Sequence, residues 1–104
     1  MNKILIVDAL ETCLMLARSL EKRGFVTFQY HTGKTALEFL KNHDIDMVFC
    51  NCRLPDMLDR DFFMKARVVV PELPIVFLSD VNDARLSVSL MKLGAADFLL
   101  KPLV

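Results

Sequence analysis

Three short apolar runs, Lys3 to Val7, Met47 to Cys50 and Ile75 to Leu78, are rich in Ile, Val, Leu and Phe and show no alternation with polar residues. Strands written this way are buried on both faces, as in a parallel sheet sandwiched between helices. The segments between the runs supply those helices. Leu14, Ala17 and Leu20 recur at helical spacing and Gly24 follows Lys22-Arg23, which predicts a helix from about Thr12 to Arg23. Val26, Phe28 and Tyr30 alternate with Thr27 and Gln29, the pattern of a less buried strand nearer the sheet edge. Thr32 or Gly33 opens a second helix with Ala36, Leu37 and Leu40 on one side, closed by Asn42-His43-Asp44.

Arg53-Leu54-Pro55-Asp56-Met57 must be a loop, because proline removes a donor and restricts the residue before it. A third helix is predicted from about Arg60 to Val69. Pro71 and Pro74 bracket a turn, Asn82 or Asp83 caps a fourth helix that ends at Leu93 before Gly94, and Phe98 to Leu100 is a fifth strand. Strands and helices alternate at intervals of about 20 to 25 residues, so the class is α/β, doubly wound, with right-handed crossovers. Another helix would be needed after strand five to cover one face; the sequence stops at Val104, so the final helix is expected to be missing or truncated.

With 104 residues, 54% of them hydrophobic, the chain suits one domain over residues 1–104. Thirteen basic and thirteen acidic residues cancel, so no global field draws the protein to nucleic acid or to an anionic membrane. No apolar run approaches the roughly 20 residues of a membrane span, and Met1-Asn2-Lys3 leads into a strand rather than a signal sequence. A cytoplasmic location is the expectation. Cys50 and Cys52 flank Asn51 and supply at most two ligands, too few for a zinc site. All three cysteines, Cys13 included, read as buried, reduced thiols. His31 and His43 read as isolated surface residues, and the scattered methionines as filling core gaps.

Ligands of open parallel sheets bind at the carboxyl ends of the strands. Here those ends are Asp8, Asn51, Ser79 and Lys101: a carboxylate, a carboxamide, a hydroxyl and an ammonium on one rim.

Several segments, in order, carry a resemblance to a known family. Ile4-Leu5-Ile6-Val7-Asp8 is similar to an opening strand with an acidic end, and Asp46-Met47-Val48-Phe49-Cys50-Asn51 to a phosphoacceptor strand followed by the loop Leu54-Pro55-Asp56-Met57. Pro74-Ile75-Val76-Phe77-Leu78-Ser79 is similar to a strand ending in a switch hydroxyl, and Gly94-Ala95-Ala96-Asp97-Phe98-Leu99-Leu100-Lys101-Pro102 to a closing motif. Over essentially its whole length the chain resembles the receiver domain of two-component response regulators, the CheY-like family. That resemblance implies a flavodoxin-like, five-stranded parallel sheet of order 2-1-3-4-5. It also implies phosphoryl transfer from a histidine kinase or small phosphodonor to an aspartate at the position of Asn51. Magnesium would be held there by the acceptor, by a second acid after strand one and by the carbonyl two residues past the acceptor.

Those positions are Asn51, Ala9 and Arg53, so only the carbonyl survives. A carboxamide is a poor nucleophile towards phosphorus. Without an acid at Ala9, a hard cation finds too little anionic oxygen. The expectation is a degenerate phosphoacceptor site of Asn51, Asp8, Ala9, Ser79 and Lys101, with no catalytic residue, no cofactor and weak or absent magnesium. Asp8 and Lys101 are expected to neutralise each other, with Asn51 donating to the carboxylate and accepting from the ammonium. Ser79 and Phe98 occupy the family's switch positions; Ser79 has no phosphoryl group to follow, and Phe98 is expected to be buried. Leu58-Asp59 replaces an Asp-Gly pair, which predicts a rearranged loop, and Lys101-Pro102 matches a peptide bond commonly cis in the family.

The reading is a non-enzymatic pseudo-receiver, the amino-terminal part of a longer regulator, acting by contact with protein partners: an output domain, a histidine kinase or another regulator. An uncovered apolar face would favour a homodimer. The alternatives are a receiver phosphorylated on Asp56 or Asp8, and a small-ligand-binding flavodoxin-like domain. Asp8-Ala9-Leu10-Glu11 replaces the glycine-rich loop that nucleotide binding requires.

Overall fold

Five strands, β1 (Lys3–Val7), β2 (Val26–Tyr30), β3 (Met47–Asn51), β4 (Ile75–Ser79) and β5 (Asp97–Leu100), form one sheet in a computed structural model that describes residues 2–103. All pairings are parallel and the order is β2-β1-β3-β4-β5. Four helices connect them: α1 (Leu10–Glu21), α2 (Gly33–Asn42), α3 (Asp59–Val69) and α4 (Ala84–Leu93). The apolar runs are the inner strands, and β4 is buried at every position. β2 is half-buried to exposed throughout, as its alternating pattern predicted.

Alternation along the strands divides the core in two. Leu5, Val7, Val48, Cys50, Ile75 and Phe77 face α2, α3 and α4, while Ile4 and Ile6 face α1 through Cys13 and Ala17. α1 packs on β1 and β2. The same side of β3 to β5 presents Met47, Phe49, Val76, Leu78 and Leu99 without a helix of its own among the described residues. Val76 and Leu78 are nevertheless buried, and Met47, Phe49 and Leu99 half-buried.

Three sequence expectations need correction. Leu14 is exposed; the core stripe of α1 is Cys13, Leu16, Ala17 and Leu20, an i, i+3, i+4, i+7 set. The helix also begins at Leu10 rather than Thr12, since the Ala9 carbonyl already accepts from the Cys13 amide. The methionines do not all fill gaps: Met47 and Met57 pack on the core, whereas Met15, Met64 and Met91 are exposed. Gly94, at φ +123°, ends α4 where a side chain would be strained. Arg67 of α3 fixes that corner, donating to the carbonyls of Leu73 and Gly94 while its guanidinium lies 4.6 Å over the Phe63 ring.

The start of α2 is fully capped. Thr32 Oγ1 accepts from the Thr35 amide, and the two carboxylate oxygens of Asp56 accept from the Gly33 and Lys34 amides at 2.8 and 2.9 Å. The Lys34 amide foremost, with that of Gly33, holds the Asp56 carboxyl below the usual carboxylate range. A depressed folded-state value means that the stabilisation is complete above the ordinary carboxylate pKa and is lost as pH falls through the depressed one. Asp56→Ala is therefore expected to lower stability at neutral pH by about 0.5 kcal/mol, modest because the carboxylate is exposed. Urea denaturation across the acid range checks the sign: the difference from wild type should vanish at the acid end.

Candidate functional site

Parallel pairing brings the strand ends to one rim. Asp8 follows β1, Asn51 and Ser79 end β3 and β4, and Lys101 follows β5. Asp8 is 2% exposed. One carboxylate oxygen, Oδ1, accepts from the Ala9 amide at 2.6 Å. The other, Oδ2, is inaccessible to solvent and lies 2.8 Å from Lys101 Nζ, an ion contact rather than an aligned hydrogen bond. The Lys101 side chain is itself only 12% exposed and also approaches exposed Asp80, at 4.0 Å. The Lys101-Pro102 peptide is cis.

Asn51 does not join this pair as expected. Its Nδ2 donates to the Arg53 carbonyl at 3.3 Å and its Oδ1 accepts from the Arg53 amide at 3.4 Å. A side-chain amide two residues from a backbone donor closes that local turn more readily than it reaches across a rim already neutralised by an ion pair. Ser79 is also satisfied locally: its Oγ donates to the Val81 carbonyl at 2.8 Å and accepts from the Val81 amide at 3.1 Å. Phe98, on the edge strand β5 and paired with Phe77 of β4, packs against the main core but is half-buried rather than buried as expected, because an edge strand has a neighbour on one side only. Ala9 heads α1 in extended geometry and offers no side-chain cap.

His31 was missed. It follows β2 directly, and β2 neighbours β1, so its ring reaches the rim and its Nδ1 lies 2.8 Å from the Asp8 carbonyl oxygen. The strand-end rule that selected Asp8 and Asn51 would have found it, had the end of β2 been counted. His31, Asp8, Ala9 and Asn51 line a cavity of about 250 Å³, closed on the other side by Arg53, Leu54 and Pro55.

All three cysteines are free and buried. Burial pushes the Cys50 thiol far up and that of Cys52 up to about 12, so both are inert neutral groups in the folded state. No cluster of three or more metal-ligating side chains occurs among the described residues. No described helix is long and apolar enough to cross a membrane. Between Asn51 and Arg60 no residue takes a positive φ, and Asp59 opens α3 with its carboxylate accepting from the Arg60 amide at 2.6 Å. The loop therefore runs without the glycine geometry for which Leu58-Asp59 is unsuited.

The profile of the response regulator receiver domain family matches residues 4–104. The chain belongs to that family. Among curated relatives, the regulatory protein LuxO of Vibrio cholerae is 35% identical over 71 residues, covering 68% of this chain and 16% of the relative. The transcriptional regulatory protein ZraR of Escherichia coli is 28% identical over 101 residues, covering 96% of this chain and 23% of ZraR. The chain thus spans less than a quarter of these relatives. A two-component response regulator from Clostridium difficile superposes with a TM-score of 0.93 at 27% identity, covering 100% of this chain and 86% of that one. The receiver fold, with its order 2-1-3-4-5, is that of this family.

The buried ion pair makes a directional prediction. Lys101→Ala leaves a solvent-excluded carboxylate oxygen unpaired and is expected to cost about 3 kcal/mol. Asp8→Ala should cost less, because the longer lysine can turn to Asp80 or to water. Urea denaturation of both variants tests the asymmetry; equal or negligible losses would count against the pair.

Proposed function

We propose that this receiver domain transmits signals by contact with protein partners and does not accept a phosphoryl group. One observation carries the reading: the Asp8 carboxylate is matched by Lys101 at 2.8 Å, while the residue at the end of β3 is a carboxamide turned to its own loop. The rim is balanced in charge without a metal and offers no nucleophilic oxygen at Asn51.

Magnesium, which the family likeness implies, does not fit these residues. At the positions that would hold it, Asn51 presents a carboxamide turned to its own loop, Ala9 contributes only a methyl group, and the Arg53 carbonyl accepts from Asn51, while the neighbouring Asp8 carboxylate is engaged by Lys101 and the Ala9 amide. A hard cation requires anionic oxygen in excess of the local positive charge, and here they are equal. Asp56 is a poor substitute acceptor, since both its carboxylate oxygens cap α2. Ser79 and Phe98, at the positions of a switch, have no phosphoryl group to follow. They hold one arrangement, with the hydroxyl on the Val81 backbone.

The partners proposed are an output domain, a histidine kinase or another regulator, in a cytoplasmic pathway with a transcriptional output, in keeping with the likeness to the regulatory protein LuxO and the transcriptional regulatory protein ZraR. Direct nucleic-acid binding is not proposed for a domain of net charge zero. A homodimer is also proposed. Size-exclusion chromatography with light scattering tests that pairing, and a monomer at high concentration would argue against it.

Incubation with acetyl phosphate and magnesium, followed by intact-mass measurement, should give no phosphoryl adduct; a stoichiometric adduct would overturn the reading. The double variant Ala9→Asp with Asn51→Asp is expected to bind beryllofluoride in the presence of magnesium, which wild type should not do.

A further inference from the structure

The chain between Asn51 and Arg60 is built as a closed segment. Arg53 and Leu58 pair in an isolated antiparallel bridge, which makes a neck for the residues between them. At the tip, Asp56 holds the Gly33 and Lys34 amides. Beside it, Met57 lies so close over Gly33 that a Cβ there would meet its Sδ at 2.5 Å and its Cγ at 2.8 Å. Leu54 and Met57 rest on the main core, and Cys52, immediately before the neck, is 6% exposed.

The same segment shapes the rim. Leu54 and Pro55 form one side of the 250 Å³ cavity, and the Arg53 backbone holds both polar atoms of the Asn51 side chain. Its attachment to the body of the domain is slight: an exposed carboxylate on two amides, one thioether and one leucine. An attachment of this kind sits at the low-stability end of a fold and opens locally while the strands stay paired.

We propose that residues 53–58 form a latched strap, a conformational device in which Asp56 on the N-terminus of α2 keeps the rim closed. Its release frees Asn51, opens the cavity and uncovers Cys52. The natural key is a basic side chain on a protein partner, since an arginine or lysine that pairs with Asp56 competes directly with the Gly33 and Lys34 amides. A partner of that kind selects the open strap and shifts its population. The strap does not depend on whether the domain accepts phosphate, because none of its contacts involves a phosphoryl group.

Alkylation with iodoacetamide, read residue by residue by mass spectrometry, tests the strap on the intact chain, together with amide hydrogen exchange. In Asp56→Ala, alkylation of Cys52 and exchange over residues 53–58 should accelerate about twofold, while Cys13, Cys50 and the amides of β1 and β4 keep wild-type rates. Asp56→Asn, which retains one acceptor oxygen, should fall between. Gly33→Ala displaces Met57 and should open the strap independently, so the test survives if Asp56→Ala fails to fold. Wild-type rates at Cys52 and residues 53–58 in the folded variants would overturn the proposal. So would equal acceleration of all three cysteines and of the strand amides, which marks global unfolding.

Discussion

Parallel pairing between β1, β2 and β3, extended through β4 and β5, is the constraint from which the site follows. It requires every connection to cross a face of the sheet, which buries the inner strands on both sides, and it sends every carboxyl end to one rim. A polar residue ending such a strand is then surrounded by apolar neighbours and must find a partner. Asp8 is the extreme case: a carboxylate at 2% exposure between β2 and β3. Lys101, delivered by the end of β5, is the cation that makes its burial tolerable.

The fold was legible because the strands advertise themselves twice, by continuous apolar runs and by the helices between them. Caps were legible for the same local reason: Thr32 and Asp83 each accept from an amide three residues on, the bond their types favour at those positions. The failures have a common cause. Leu14 fits a helical stripe in the one-dimensional pattern, but the stripe that wins starts at Cys13, and only the placement of α1 over β1 and β2 selects it. Asn51 and Asp56 form contacts that depend on loop geometry, in one case with a residue two positions away and in the other with a helix more than twenty positions earlier. His31 reached the rim through sheet order alone.

The polar residues of the rim are individually quiet. Ser79 is closed on Val81, Asn51 on Arg53, and Asp8 on Ala9 and Lys101, so each finds its partners inside the chain, by hydrogen bonds and, at Asp8 Oδ2, by an ion contact. A site that needs an ion or a ligand to complete it leaves an unmatched group behind. Here the nearest approach to one is Asp8 Oδ2, and the ammonium is already upon it. Change in this domain is therefore more easily introduced through the loops that hold the rim than through the rim itself, which is why the weakly fastened segment after Asn51 has more consequence than its exposure suggests.

Charge counting explains why Ala9 and Asn51 belong together. With Asp8 and Lys101 alone, the buried rim holds one negative and one positive charge and is neutral. An aspartate at position 51 in the presence of Ala9 would add a carboxylate within a few ångströms of Asp8. At an effective dielectric of about 20, like charges about 5 Å apart repel by roughly 3 kcal/mol. A cation could relieve that repulsion, but Ala9 withholds the oxygen that would help to bind it. An acid at position 9 with Asn51 in place meets the same difficulty from the other side, less the burial, since position 9 is exposed. Either both acids are present and a metal balances them, or neither is and the lysine suffices; the chain has the second arrangement, and its geometry is that of a neutral pair.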